Sequence, residues 1–385
     1  MKQRKICVVI TARPSYSRVK TALQAIKDHP ELELQLVAAG SALLGRYGSA
    51  VEYIESDGFE IAEKVFMVLE GENKTAMAKT TGLGVMELAT VFYKLEPDMV
   101  VTIADRFETI ATSIAASYQN IPLVHIQGGE VTGNIDEKVR HANTKLADIH
   151  LVASENAKER VIKLGEVPAK VFNTGCPSID IAKGVKESPA LDFDPMIKYG
   201  GVGAVVDASG PYLVVMQHPV TTEYTRAKED VMKTLEVINE LEIPTFWFWP
   251  NVDAGSDGTS NGIRSFRESV NPKHIHFFKN MEPNDFLRLL VNSKCLVGNS
   301  SVGIRECAYL GVPVVNIGTR QNGRDRGENV LDVDYTKEAI RAAIKTQIDK
   351  KNIVSSPIYG DGDAGHKIAE VLSKCPLDYH KTITF

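Results

Sequence analysis

The stretch LVGNSSVGIRE, residues 296–306, decides the fold. An apolar run stops at Gly298-Asn299, and Ser300-Ser301 open a helical pattern that leads through CAYLG into a second apolar run, VPVVNIG (312–318). Strand, turn, helix and strand in so short a span make a parallel βαβ unit. Serine is a good N-cap, and the unpaired N–H groups of a helix's first turn attract an anion. Gly303 lacks a Cβ and is expected to let a ligand come close. Glu306, further along the helix, would suit a diol if it faced a ligand. The same residues would equally serve plain capping and a solvated surface.

The alternation continues on both sides. The first half offers strands at 5–12, 32–40, 64–68, 98–105, 122–129, 149–154 and 170–175, and the second half at 211–219, 244–251, 274–278, 294–300 and 312–318. Their continuous Val/Ile runs predict strands covered on both faces, as in a parallel sheet. Helical patterns lie between, among them 106–119, with Ile110, Ile114 and Ala115 on one stripe, and 283–293. Trp247 and Trp249 alternate along one strand and read as core. From 183 to 210 the pattern lapses into a Gly/Pro-rich linker or excursion. The expected domains are 1–182, 211–362, and a C-terminal helix and tail at 363–385 that packs back on the first. The predicted fold class is α/β, with two doubly wound, Rossmann-like domains facing a cleft that takes ligand at the carboxyl ends of strands.

Composition narrows the function. The 385 residues are 43% hydrophobic and 24% charged, with a formal net charge of −5, so no overall basic character points to nucleic acid. No apolar run approaches the roughly 18 residues of a membrane span. The five cysteines include no C-x-x-C, which argues against structural zinc and fits a reducing cytoplasm.

Chemistry gathers at the strand ends. The first half places Arg13 and Ser17, then Asp105 and Arg106, then His125, Gln127, Glu130 and Asp136. Several carboxylates in one cleft suit acid–base work, because like charges raise the proton affinity of at least one. Helix capping is the alternative for Asp105 and Asp136. The second half places His218, Asn251, Ser300, Ser301, Glu306 and Arg320 at equivalent positions. Arg13 and Arg320 would each match a diphosphate, and His218 would donate to a phosphate or move a proton.

The ordered motifs RPSYS, DRFE, HIQGGEVTGNIDEKVRHANTKLADIH, QHPVTT, PNVDAGS, GNSSVGIRE and GTRQNGRDRGENV resemble the hydrolysing UDP-N-acetylglucosamine 2-epimerases. The resemblance runs from the first strand to about residue 330. It implies a GT-B-like architecture, a homodimer or dimer of dimers, and elimination of UDP to a 2-acetamidoglycal that is then hydrated to the free 2-epimer. It implies that Arg13 and Ser17 contact the diphosphate, that Asp105 is an acid–base group with Arg106 beside it, and that His218 meets a phosphate or the leaving group. Asn251 would line the nucleotide site, Ser300 and Ser301 would bind phosphate, Glu306 the ribose, and Arg320 the diphosphate. No metal, nicotinamide, nucleic-acid or membrane partner is implied, and G-x-G-x-x-G and a P-loop are both absent.

One position departs from the family pattern. Where many relatives carry H-x-E, this chain has His125-Ile126-Gln127, and an amide cannot move the proton. Either Glu130 or Asp136 takes that part, or the site serves another sugar, such as UDP-2,4-diacetamido-2,4,6-trideoxy-glucose for legionaminic acid, in place of UDP-N-acetylglucosamine for a sialic acid. The rival readings are a GT-B glycosyltransferase, a non-hydrolysing epimerase and a non-catalytic UDP-sugar binder.

Overall fold

The computed structural model describes residues 2–45, 49–69, 74–131, 135–220, 223–250, 256–350 and 353–384. The chain divides into two compact units, Met1–Asp180 with Tyr359–Phe385, and Ile181–Ile358.

The first unit is built on β1 (Arg4–Ile10), β2 (Leu32–Ala39), β3 (Ile61–Val65), β4 (Met99–Ile103), β5 (Leu123–Ile126), β6 (Ile149–Val152) and β7 (Val171–Asn173). All neighbours pair in parallel, in the order β3-β2-β1-β4-β5-β6-β7. Alternate residues of β1 enter opposite cores, as a strand's two-residue period requires. Ile6, Val8 and Ile10 meet Val19, Leu23 and Ile26 of the helix Arg13–Asp28. Cys7 and Val9 meet Leu88 and Phe92 of the helix Lys74–Leu95.

The second unit repeats the plan. Its strands are β8 (Val202–Gly203), β9 (Leu213–Met216), β10 (Thr245–Phe248), β11 (Ile275–Phe278), β12 (Cys295–Gly298), β13 (Val314–Ile317) and β14 (Val330–Val333). The order is β14-β13-β12-β9-β10-β11-β8, parallel except for β8 against β11. Leu213, Val215 and Trp247 face one core, and Tyr212, Val214 and Phe246 the other. Each sheet reverses its strand order once, between β1 and β4 and between β9 and β12. Such switch points are where doubly wound sheets bind ligands.

At the second switch point β12 approaches β9 closely. Gly298 has φ +136°, and a Cβ there would lie 2.1 Å from the Met216 carbonyl oxygen, so only glycine fits. The chain's C-terminal helix, Ala364–Lys374, packs on Arg13–Asp28 in the first unit. Asp180 ties the two by accepting from the Ala364 and Gly365 N–H groups and the Thr21 hydroxyl, each at 2.8 Å.

Several details differ from the sequence reading. Residues 183–210 belong to the second unit and supply β8, a strand too short to leave a periodic signal. β14 went unread because its VLDV alternates and is only partly buried. The third strand begins at Ile61, since its polar alternate residues mask it. Ile110 and Ile114 are only half-buried; the helix Thr109–Tyr118 packs instead through Ala111, Ala115 and Ala116. Small residues are needed there because a Cβ on Gly84 would sit 3.0 Å from that of Ala111. Trp247 is core, and Trp249, just past the strand, packs half-buried against the same core with Arg264 over its ring at 5.8 Å. Among the described residues no helix is long and apolar enough to cross a membrane.

Candidate functional site

In the first unit the candidate side chains lie at the ends of β1, β4 and β5 and on the helix Ile135–Leu146. Two neighbouring strand ends carry non-glycine residues in left-handed backbone, Ala104 (φ +58°) and Gln127 (φ +66°). Such conformations are held against a local energy cost and concentrate at functional sites. Ala104 delivers Asp105 into the turn after β4, and Arg140, from the helix, donates to its Oδ2. Arg140 is 1% exposed and Asp105 13%. Asp136 lies one helical turn before Arg140, four residues apart and therefore on the same face. Glu130, buried, ends the turn that follows β5.

His125 lies in the interior, near the end of β5. It is fully buried, and burial is the main reason its proton affinity falls, to about 3, so the ring is neutral. Nε2 lies 2.9 Å from the Ala104 carbonyl oxygen, which can only accept, so Nε2 carries the proton. Nδ1 then accepts from the Thr144 hydroxyl at 3.1 Å. Asn143 completes this underlayer: it accepts from Ser113 Oγ and donates to Thr109 Oγ1, each at 2.8 Å.

Gln127 is also buried. Its Nε2 donates to Cys176 Sγ at 3.1 Å, while its Oε1 has no hydrogen-bond partner among the described residues. Arg106 turns toward Glu108 at 2.8 Å. Arg13 stacks 4.7 Å over the Tyr53 ring. The Ser17 hydroxyl donates back to the Arg13 carbonyl at 3.3 Å, within its own helix.

In the second unit Asn299 organises the switch point. Its Oδ1 accepts from the His218 N–H at 2.7 Å and its Nδ2 donates to the His218 carbonyl at 2.9 Å. Its own carbonyl accepts from Arg320 Nη1 at 3.3 Å and Gln321 Nε2 at 2.8 Å. One asparagine thereby clamps the loops after β9, β12 and β13. His218 is buried and, through burial first and the Arg320 charge second, binds a proton far more weakly than free histidine. It is a neutral hydrogen-bonding group at neutral pH.

Ser300 is the N-cap of the helix Ser301–Ile304, its Oγ accepting from the Val302 N–H at 3.4 Å. Ser301, in the first turn, and Glu306, after the kink at Arg305, are half-buried. Gly303 does not face a ligand. A Cβ there would meet Val314 at 2.9 Å and Leu296 at 3.2 Å, so it exists to seat the helix on the sheet. Asn251 lies outside the described residues, as does the Asp253 loop.

The structure thus pairs Asp105 with Arg140, with Asp136 on the same helix and Gln127 and Glu130 just after the neighbouring β5, and in the other unit sets His218, Arg320 and the adjacent Ser300 and Ser301 about Asn299. Arg140 and Asn299, which hydrogen-bond the candidates Asp105 and His218, were not singled out from the sequence. The spacing of Asp136 and Arg140 by four residues on a helix, and an asparagine at a strand end before two serines, were the available signals.

The profile of the UDP-N-acetylglucosamine 2-epimerase family matches residues 24–373. A UDP-N,N'-diacetylbacillosamine 2-epimerase (hydrolyzing) of Legionella pneumophila is 32% identical over 374 residues, 97% of either chain. A UDP-N-acetylglucosamine 2-epimerase of Neisseria meningitidis serogroup B is 29% identical over 377 residues, 96% of this chain and 95% of the relative. The crystal structure of UDP-GlcNAc 2-epimerase from Neisseria meningitidis bound to UDP-GlcNAc superposes with a TM-score of 0.80 at 18% identity, over 96% of this chain and 100% of that one, and shares the GT-B-like two-domain α/β fold.

Proposed function

The chain belongs to the UDP-N-acetylglucosamine 2-epimerase family and is an enzyme of that kind, and we propose that it hydrolyses a UDP-activated 2-acetamido sugar with inversion at carbon 2. The observation that carries this reading is the Arg140–Asp105 pair at the switch point of the first sheet, with Asp136 on the same helix and Glu130 at the next strand end.

In the first step a carboxylate removes the proton on carbon 2. The electron pair forms the carbon 1–carbon 2 double bond, and the bond from carbon 1 to the UDP oxygen breaks. In the second step water adds its oxygen to carbon 1 while a proton reaches carbon 2 from the opposite face. The free 2-epimer and UDP leave. Asp105, Glu130 and Asp136 supply the acid–base groups, since Gln127 cannot. Ser300 and Ser301 hold phosphate at the helix start, Arg320 neutralises charge on the departing diphosphate, and neutral His218 donates to it. Glu306 takes the ribose diol. Arg13, Ser17 and Arg106 serve the diphosphate, as does Asn251 the nucleotide.

The substrate proposed first is UDP-N-acetylglucosamine, giving N-acetylmannosamine for a sialic acid. The second is UDP-2,4-diacetamido-2,4,6-trideoxy-glucose for legionaminic acid. Gln127 in place of a carboxylate and the 32% identical Legionella relative favour it. The enzyme is proposed to work as a cytoplasmic homodimer. Met86 and Tyr93, seven residues apart on the helix Lys74–Leu95, are 69% and 80% exposed and offer an apolar face for a second copy.

Proton NMR in D₂O tests the reaction with both sugars in parallel. Release of UDP with a 2-epimerised free sugar, deuterated at carbon 2, is the expected result, and the faster substrate names the pathway. No release from either sugar would overturn the reading and leave a glycosyltransferase or a binding protein.

A further inference from the structure

We propose that Lys381, in the C-terminal tail, is a positioning residue for the Asp105 centre. It holds the far end of the helix that carries Asp136 and Arg140. The proposal rests on the acid–base reading above.

The helix Ile135–Leu146 ends on carbonyl groups with no partner inside the helix. Lys381 Nζ reaches two carbonyls at that end, donating to the Ala147 oxygen and lying 3.4 Å from the Thr144 oxygen. A cation is the group that such an end favours. Lys381 Nζ also lies 2.5 Å from Glu166 Oε2. Glu166 is a buried hub: it also accepts from Lys145 of the same helix at 2.6 Å and from His150 of β6 at 3.0 Å. The tail is seated beside this hub. Thr384 N–H donates to the Gly165 carbonyl at 3.0 Å, and its Oγ1 donates to the Glu166 carbonyl at 3.2 Å. Gly165 has φ +91°, and a Cβ there would lie 2.6 Å from Ile383, so the chain passes flush only over glycine.

Arg140 and Thr144 are four residues apart and share the inner face of the helix. Arg140 pairs with Asp105, while Thr144 bonds His125, which in turn holds the Ala104 carbonyl. Fixing the Thr144 and Ala147 carbonyls therefore fixes the axial position of both inner contacts. A shift of an ångström or so along the axis would draw the guanidinium away from Asp105, and misplacement on that scale costs up to about a hundredfold in rate.

The test uses the full chain. Lys381→Met is expected to lower kcat about ten- to a hundredfold, with KM and UDP affinity within about twofold. Lys381→Arg is expected to restore kcat to within about threefold, and hydrogen exchange at amides 144–148 to quicken in Lys381→Met alone. Asp378→Ala removes another anchor of the tail, its 3.1 Å pair with Lys170, and is expected to leave kcat near wild type. Unchanged kcat in Lys381→Met, an equal loss in Asp378→Ala, or KM and UDP affinity failing along with kcat would each overturn the proposal. Should Lys381→Met not fold, Lys381→Gln, which keeps a donor without charge, must show the same kcat loss or the proposal falls. An inactive wild type would overturn the functional reading. Exchange at 144–148 is read without substrate, and a wild-type rate in Lys381→Met sinks the positioning role by itself.

Discussion

Arg140 donates from Nη2 to Oδ2 of Asp105, joining a helix to the end of β4 through a guanidinium that is 1% exposed. The pair holds a carboxylate where the first sheet changes direction. Removing the Asp105 charge should remove the chemistry and also lower stability, because the buried Arg140 guanidinium is left facing a neutral amide. Asp105→Asn is expected to lower kcat by about 10²–10⁴-fold while UDP affinity, measured calorimetrically, stays near wild type. Full turnover in this variant would take Asp105 out of the mechanism.

Arg140 should be costlier to change than a surface arginine, because it is buried. Loss of one member of a buried pair destabilises by roughly 3–5 kcal/mol, and the partly open Asp105 carboxylate lowers that toward about 2 kcal/mol. Arg140→Met should therefore show both a lower kcat and a lower midpoint in urea. Activity loss without any stability loss would mean that the pair does not serve the fold.

Of the two serines proposed to hold phosphate at the second switch point, Ser300 is also the helix cap. Ser300 Oγ caps the helix, so Ser300→Ala should cost about 1 kcal/mol of stability. Ser301 lies in the first turn, and Ser301→Ala should instead weaken UDP binding about three- to tenfold, the worth of one hydrogen bond. Unchanged UDP affinity in Ser301→Ala contradicts the phosphate role.

Gly298 is held at φ +136° against the Met216 carbonyl. Gly298→Ala is expected to lose roughly 2–4 kcal/mol from backbone strain and the clash together, read as a drop in the denaturation midpoint. A variant as stable as wild type would show that β12 can move off β9.

The Glu166 hub predicts an acid limb in the stability curve. Burial raises the Glu166 carboxyl, but hydrogen bonds from His150, Lys145 and Lys381 outweigh it and bring the value down to about 2. A carboxyl depressed in the folded state contributes stability that is fully present above its unfolded value, 4.5, and is lost as pH falls toward 2. Lys381 is itself lowered, because burial costs its cation more than the pairing returns. The net contribution is thus smaller than the Glu166 shift alone implies. Thermal midpoints measured from pH 5 to pH 2 should fall more steeply in wild type than in Glu166→Gln, and parallel slopes would remove Glu166 from the acid response.

The order of strands and helices was legible because it is written locally. Short, Val/Ile-rich continuous runs such as KICVVI and YLVVM read as strands covered on both faces, and two such series predict two doubly wound sheets. The strand-end loops followed from the same reading, which is why Asp105, Glu130, His218 and Ser300 stood out. Edge strands stayed hidden, since a two-residue β8 and a half-exposed β14 carry little hydrophobic period. The residues that organise the site were decided by tertiary structure alone. Arg140 meets Asp105 from 35 positions away, Lys381 meets Glu166 from 215, and Asn299 meets His218 from 81. Local periodicity reports which face of an element is buried. It carries no record of the partner across the core, such as the Ala104 carbonyl and Thr144 hydroxyl beside the buried His125 ring, or the Val314 and Leu296 side chains against which Gly303 sits.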